Sequence, residues 1–138
     1  MLPCLLPDPS IIAFDEVRIE DKGETVVCQV VSTQTTVTCP VCGEPTSRIH
    51  SRYQRKLTDL PWAGIPVQLW LSVRRFRCRN PHCRRCIFCE RIATVAAPWA
   101  RRTQRMAEAQ QAIGLSAGGS GGSRLCVALA MDAGVDLL

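Results

Sequence analysis

The sequence predicts a small α+β fold, β-rich over most of its length and helical at its C-terminal end. Three observations carry this. Alternating apolar residues mark strands on both sides of position 60, paired cysteines bracket two of those strands, and the period changes from two to about 3.6 after Pro98. The chain has 138 residues, room for one compact domain or two very small ones.

Residues 11–20 and 24–31 are β-branched segments separated by Asp21-Lys22-Gly23, which reads as a hairpin with Gly23 at positive φ. Thr35–Thr38 extends into the first cysteine pair. From Pro66, Val67, Leu69, Leu71 and Val73 fall on one strand face, and Gln68, Trp70, Ser72, Arg74 and Phe76 fall on the other. Residues 48–57 form the antiparallel partner, joined through the segment Asp59-Leu60-Pro61-Trp62-Ala63-Gly64.

After Pro98, residues 99–113 hold neither Gly nor Pro. Trp99, Met106 and Ile113 recur every seven residues, with Gly114 at the position of a C-terminal cap. Residues 116–123, SAGGSGGS, read as a flexible linker, and a second helix is expected from about Arg124 to Met131 before the end at Val135–Leu138. These elements divide the chain into an N-terminal hairpin lead (1–34), a ribbon domain (35–97) and a helical segment (98–138). The linker glycines follow no strand, which argues against a phosphate-cradling loop.

The composition is unusual in its nine cysteines and its charge. No apolar run approaches a membrane span, and the proline-broken N-terminus lacks the basic lead of a secretory signal. A cytoplasmic location is expected, where clustered cysteines serve as metal ligands rather than disulfides. Cys39-Pro40-Val41-Cys42-Gly43 is one knuckle, and Cys78 and Cys83 form a second. Two such pairs, bridged by two strands, supply four thiolates for a tetrahedral Zn²⁺: Cys39, Cys42, Cys78 and Cys83. Competing uses are an iron–sulfur site through Cys83, Cys86 and Cys89, His82 in place of Cys83, or a redox dithiol at Cys39 and Cys42. The first lacks its fourth cysteine, since position 93 is Ala, and the last opens no helix of a βαβ unit. Cys4, Cys28 and Cys126 lie in apolar surroundings and are expected to be buried, and His50 to be a surface histidine.

The formal charge of +5 hides a segregation. Residues 1–47 carry two basic and seven acidic side chains, residues 48–105 fourteen and two, and residues 106–138 one and three. Nearly all the cations are arginine, whose planar fork suits phosphate and guanine edges. Arg48, Arg52, Arg55 and Lys56 lie on one ribbon strand, Arg74, Arg75 and Arg77 on the other, and Arg79, Arg84 and Arg85 at the second knuckle. The set expected to contact DNA is Arg48, Arg52, Arg55, Arg74, Arg75 and Arg77, with Arg101 and Arg102 at the start of the helical segment.

These residues carry a family resemblance. CPVCG, then SRYQRKLTDLPWAGIPVQLWLSVRRFRCRNPHC and RRCIFCER, resemble the N-terminal zinc-binding domain of ISL-three group insertion-sequence transposases. The matching positions are Cys39, Cys42, His50, Ser51, Tyr53, Arg55, Asp59, Leu60, Pro61, Trp62, Gly64, Arg74, Arg75, Phe76, Cys78, Cys83, Ile87, Phe88, Glu90 and Arg91. Cys86 and Cys89 fall where that family has other residues. Residues 98–131 are similar to the helix-turn-helix that follows in the family. The family then continues into a catalytic domain with a metal-binding acidic triad, for which Asp132 and Asp136 are too few. The resemblance thus implies a truncated transposase: a zinc-dependent module binding double-stranded DNA at the terminal inverted repeats of its element, with no enzymatic strand transfer of its own. The alternatives are a ribbon that docks on a protein, itself or a full-length transposase, or a remnant without function.

Overall fold

The computed structural model describes residues 2–131; Asp132, Asp136 and the terminal Val135–Leu138 lie outside the described residues. Seven strands and two helices follow a short 3₁₀ turn at Leu2–Leu5: β1 (Ile12–Glu20), β2 (Thr25–Ser32), β3 (Val37–Thr38), β4 (Pro45–Thr46), β5 (Ile49–Trp62), β6 (Ile65–Arg77), β7 (Ile87–Cys89), α1 (Gln104–Ala117) and α2 (Gly119–Ala128). One sheet has the order β1-β2-β6-β5, with β7 added against the end of β6; β3 and β4 form a separate two-stranded ribbon.

The β1–β2 hairpin turns through Asp21, Lys22 and Gly23, all at positive φ (55°, 58° and 90°). Its second strand then lies parallel to β6, pairing Val26 with Val67 and Val30 with Leu71. The hairpin is therefore continuous with the ribbon's sheet. β5 runs further than residues 48–57 and reaches Trp62, so the connection to β6 shrinks to the two-residue turn Ala63-Gly64, with φ of 50° and 80°. Asp59 and Leu60 belong to the strand rather than to a loop.

Alternation on β6 is realised: Val67, Leu69, Leu71 and Val73 are buried against Val26, Cys28, Val30 and Leu57. The segment after β7 folds back over this face and contributes Ile92, Val95 and Ala96, while Leu6 and Ile12 close it from the N-terminal side. Phe76 alone on the opposite face is fully buried, because β7 brings Phe88 across at 6.1 Å between ring centroids. With Val37 and Cys39 it makes a second, smaller core beneath the knuckles.

The helical end departs from expectation in two ways. Trp99 and Arg101 are not helical; α1 begins at Gln104, where the Thr103 hydroxyl accepts from the Met106 N–H and Pro98 has already broken the chain. Gly114 lies inside α1, and the helix ends at Gly118, whose φ of 77° suits glycine. The glycine-rich stretch is not a loose linker, since α2 starts at Gly119 and includes Gly122. The physical reason is close packing. A Cβ on Gly122 would lie 3.2 Å from the Gly114 Cα, so the two helices cross where neither has a side chain. Met106, Cys126 and Met131 fill the space between them.

Buried Asp59 docks these helices on the sheet. It accepts from the Thr103 hydroxyl (2.7 Å) and from Arg105, whose Nη2 is 2.5 Å from Oδ2. Backbone bonds from Thr58 N–H to Arg101 C=O and from Thr103 N–H to Thr58 C=O complete the junction.

Candidate metal centre and cationic surface

The two knuckles meet because β6 delivers one and the β3–β4 ribbon delivers the other. In the first, Cys39 N–H donates to Glu44 C=O (3.0 Å) and Gly43 N–H to Cys39 C=O (2.9 Å), closing a tight turn between the short strands. In the second, the Asn80 side chain accepts from His82 N–H (3.0 Å), and its carbonyl accepts from Cys83 N–H (3.1 Å). Cys78 N–H donates to Cys86 C=O at 2.9 Å, which holds the turn against the start of β7.

The sulfur atoms of Cys39, Cys42, Cys78 and Cys83 all lie within 4.8 Å of one another. Cys39 and Cys83 are 3.9 Å apart, and Cys42 and Cys78 are 3.5 Å apart. A tetrahedron with Zn–S bonds near 2.3 Å has sulfur–sulfur edges of about 3.8 Å, so the donor set fits Zn²⁺. With four thiolates the ion has no open position for water, and its work is structural. His82 and Cys86 are both exposed and belong to no such group among the described residues, and neither does Cys89.

The thiols tune one another. Burial pushes Cys39 up, but the backbone N–H groups of Cys42 and Val41 and the neighbouring Cys42 and Cys78 outweigh it and bring it down to about 7. At Cys78 the Asn80 N–H pulls downward, yet burial and the three other cysteines push it up to about 12. Cys83 is also raised; the Arg85 N–H pulls it down, and burial with Cys42 and Cys39 prevails. Four thiolates packed this closely need a cation among them.

Of the remaining cysteines, Cys28 and Cys126 are buried, and burial followed by the Asp59 charge pushes the Cys28 thiol up to about 11. Cys4 is exposed, not buried, because it lies in the N-terminal 3₁₀ turn outside the main core. His50 is exposed, its Nδ1 3.0 Å from the Ser51 hydroxyl.

The arginines separate into two sets. Arg48, Arg52, Arg77, Arg79 and Arg84 are exposed and make no side-chain hydrogen bond or ion pair among the described residues. All but Arg52 lie at the knuckle end of the sheet, and Arg52 sits opposite Arg74 on the adjoining stretch of β5. Arg91 and Arg101 are likewise exposed without such a bond, while the other arginines of residues 48–105 are engaged within the protein. Arg74 grips buried Glu90 through Nε (3.0 Å) and Nη2 (2.8 Å), and also donates to Gln34 C=O. Arg55 donates to Ala97 C=O and Ala100 C=O. Arg75 covers the Tyr53 ring at 4.3 Å, and Arg102 bonds Gln110. Arg101 is exposed at the edge of β5. The buried carboxylates that claim these cations, Glu90 and Asp59, had no assigned role from sequence, although both stand in the motif that carries the family resemblance.

The charge segregation is spatial only in part. Asp21 and Glu24, at the hairpin turn, lie beside the start of β6, and the knuckle lies past its end. Roughly 40 Å of strand, at about 3.3 Å per residue, separates that turn from the knuckle, although Glu44 belongs to the first knuckle and Arg101 and Arg105 lie beside Thr58 and Asp59 near the start of β6. No helix among the described residues is long and apolar enough to cross a membrane.

Comparison with known proteins agrees with this geometry. No curated protein and no solved structure matches the chain. Residues 35–86 match the family model of the zinc-finger of transposase IS204/IS1001/IS1096/IS1165. With its four cysteines brought to one point between the β3–β4 ribbon and β6, this segment of the chain is similar to the zinc ribbon of those transposases in both sequence and donor set.

Proposed function

We propose that the ribbon binds double-stranded DNA at the terminal inverted repeats of an insertion sequence, with zinc holding the binding surface in shape. The carrying observation is that Arg48, Arg77, Arg79 and Arg84, without side-chain partners among the described residues, collect at the four-thiolate end of the sheet, with Arg52 on the adjoining stretch of β5. Guanidinium groups with no internal carboxylate are available for phosphate oxygens, and contacts to the backbone supply most of the affinity. Glu90 and Asp59 already pair with Arg74 and Arg105 inside the protein, so the reading rests on the arginines that have no carboxylate partner. The acidic hairpin end sets a polarity, favouring placement of DNA across the knuckle end.

Zinc-loaded protein should retard a duplex carrying the element's own ends more strongly than a scrambled duplex of equal length. Its affinity should fall steeply with salt. Replacing Arg52, Arg79 and Arg84 with alanine should lower the salt slope by about one for each phosphate that the variant no longer neutralises. Equal retardation of both duplexes at moderate salt would reduce the module to a non-specific binder, and an unchanged slope in the triple variant would place the interface elsewhere.

A further inference from the structure

A second cationic site lies away from the cysteine knuckles. The segment that follows β7 arches over the apolar face of the sheet and leaves a half-open cleft of about 550 Å³ against β5. Its walls include Tyr53, Arg55, Arg85, Arg91 and Trp99. The volume lies within the range of pockets that hold small organic ligands. Glu90, the one carboxylate in the lining, is closed off by Arg74 and the Ser32 hydroxyl, so three guanidinium groups face a ligand without internal neutralisation.

Trp99 at the lip has an unusual conformation. Ala100 N–H donates to Ala97 C=O (3.1 Å), which closes a four-residue turn with Pro98 and Trp99 at its centre. Proline at the second position and a left-handed residue at the third is the pattern of a type II turn, whose third position ordinarily takes glycine or asparagine. Here it is tryptophan, at φ 67° and 97% exposed. A bulky residue in this region is strained, and this one recovers almost nothing by burial. Arg55 secures the turn on both sides, with one Nη2 donating to Ala97 C=O (3.0 Å) and to Ala100 C=O (2.7 Å). Strain at an exposed aromatic, held in place by a guanidinium of the sheet, presents a ring face outward beside a cation-lined cleft.

We infer that this cleft takes an unpaired DNA nucleotide, its base stacked on Trp99 and its phosphate met by Arg85 and Arg91. Stacking on an aromatic face needs no particular base, and arginines track the charged backbone on either side of it. A nucleotide that has left the duplex stack exposes the ring face that such a site reads. Arg55 is a positioning residue, acting through the turn it fastens. The cleft presupposes the DNA-binding reading of the ribbon and adds to it a preference for locally unpaired DNA.

The test uses the full zinc-loaded chain and two duplexes of one sequence, one fully paired and one with a single bulged 2-aminopurine. The parent protein should favour the bulged duplex on the order of tenfold and quench the 2-aminopurine fluorescence on binding. Trp99→Gly should bring that ratio to about one and abolish the quench, and Trp99→Phe should retain part of both. Because glycine adopts the turn without strain, Trp99→Gly should melt at or above the parent's midpoint. A lower midpoint by several degrees would assign Trp99 to the fold and overturn the inference, as would an unchanged ratio in Trp99→Gly or no preference in the parent. Paired DNA bound without preference sinks this cleft alone; failure to bind either duplex at low salt sinks the DNA-binding reading with it.

Discussion

At the residue scale, the chemistry of the centre is set by protons as much as by sulfur. Cys78, pushed up to about 12, and Cys83, also raised, hold their protons at neutral pH when no metal is bound, whereas Cys39 at about 7 is partly ionised. Zinc binding displaces these protons, so low pH favours the metal-free form and high pH the loaded one. Competition against a coloured chelator should show weaker zinc binding at pH 6 than at pH 8, by about tenfold per pH unit for each proton displaced. An affinity constant over that range would exclude these thiols as the ligands. The ligand set was legible from sequence because its chemistry is written in residue type and spacing. Cys4 was not, since an apolar neighbourhood in sequence does not guarantee a place in the core.

At the element scale, the strands were more legible than the helices. Period-two alternation on β6 named its buried face, because one face of that strand meets the core along its whole middle. The glycine-rich stretch reads as a linker since glycine weakens isolated helices by about 1 kcal/mol per residue. Here tertiary packing overrides that preference: Gly122 is buried against Gly114, and side chains at this crossing would hold α1 and α2 apart. Two substitutions separate these effects. Gly122→Ala places a Cβ 3.2 Å from backbone and should destabilise the protein by about 1–3 kcal/mol. Gly119→Ala meets nothing within 4 Å and should be neutral or stabilising by up to about 1 kcal/mol. Urea unfolding distinguishes them, and equal effects at both positions would refute the close crossing.

At the scale of the whole molecule, two buried carboxylates tie distant segments together. Glu90 joins β6 through Arg74, the end of β2 through the Ser32 hydroxyl (2.5 Å), and Gln34 through its side-chain amide (3.2 Å). Asp59 does the same for β5, the entry to α1 and, through Arg105, the N-terminal turn at Leu5. Removing one partner of a buried pair leaves the other charge without compensation. Glu90→Gln should therefore cost about 3 kcal/mol in chemical denaturation while the chain still takes up one zinc. A change below about 0.5 kcal/mol would show that the network is not holding the sheet together.

The sequence by itself determined the four-thiolate donor set, the turn and strands of the hairpin, and the segregation of charge, all of which depend on residue type and short-range spacing. Tertiary structure decided which arginines lack an internal partner, why glycines fold into a helix, and where a tryptophan is held in a left-handed turn. Each of those depends on a partner far away in the chain: Glu90 for Arg74, Gly114 for Gly122, Arg55 for the Trp99 turn. Free arginines and paired ones look alike in sequence. Folding separates them by placing a carboxylate or a carbonyl within hydrogen-bond reach of some and leaving the rest in solvent.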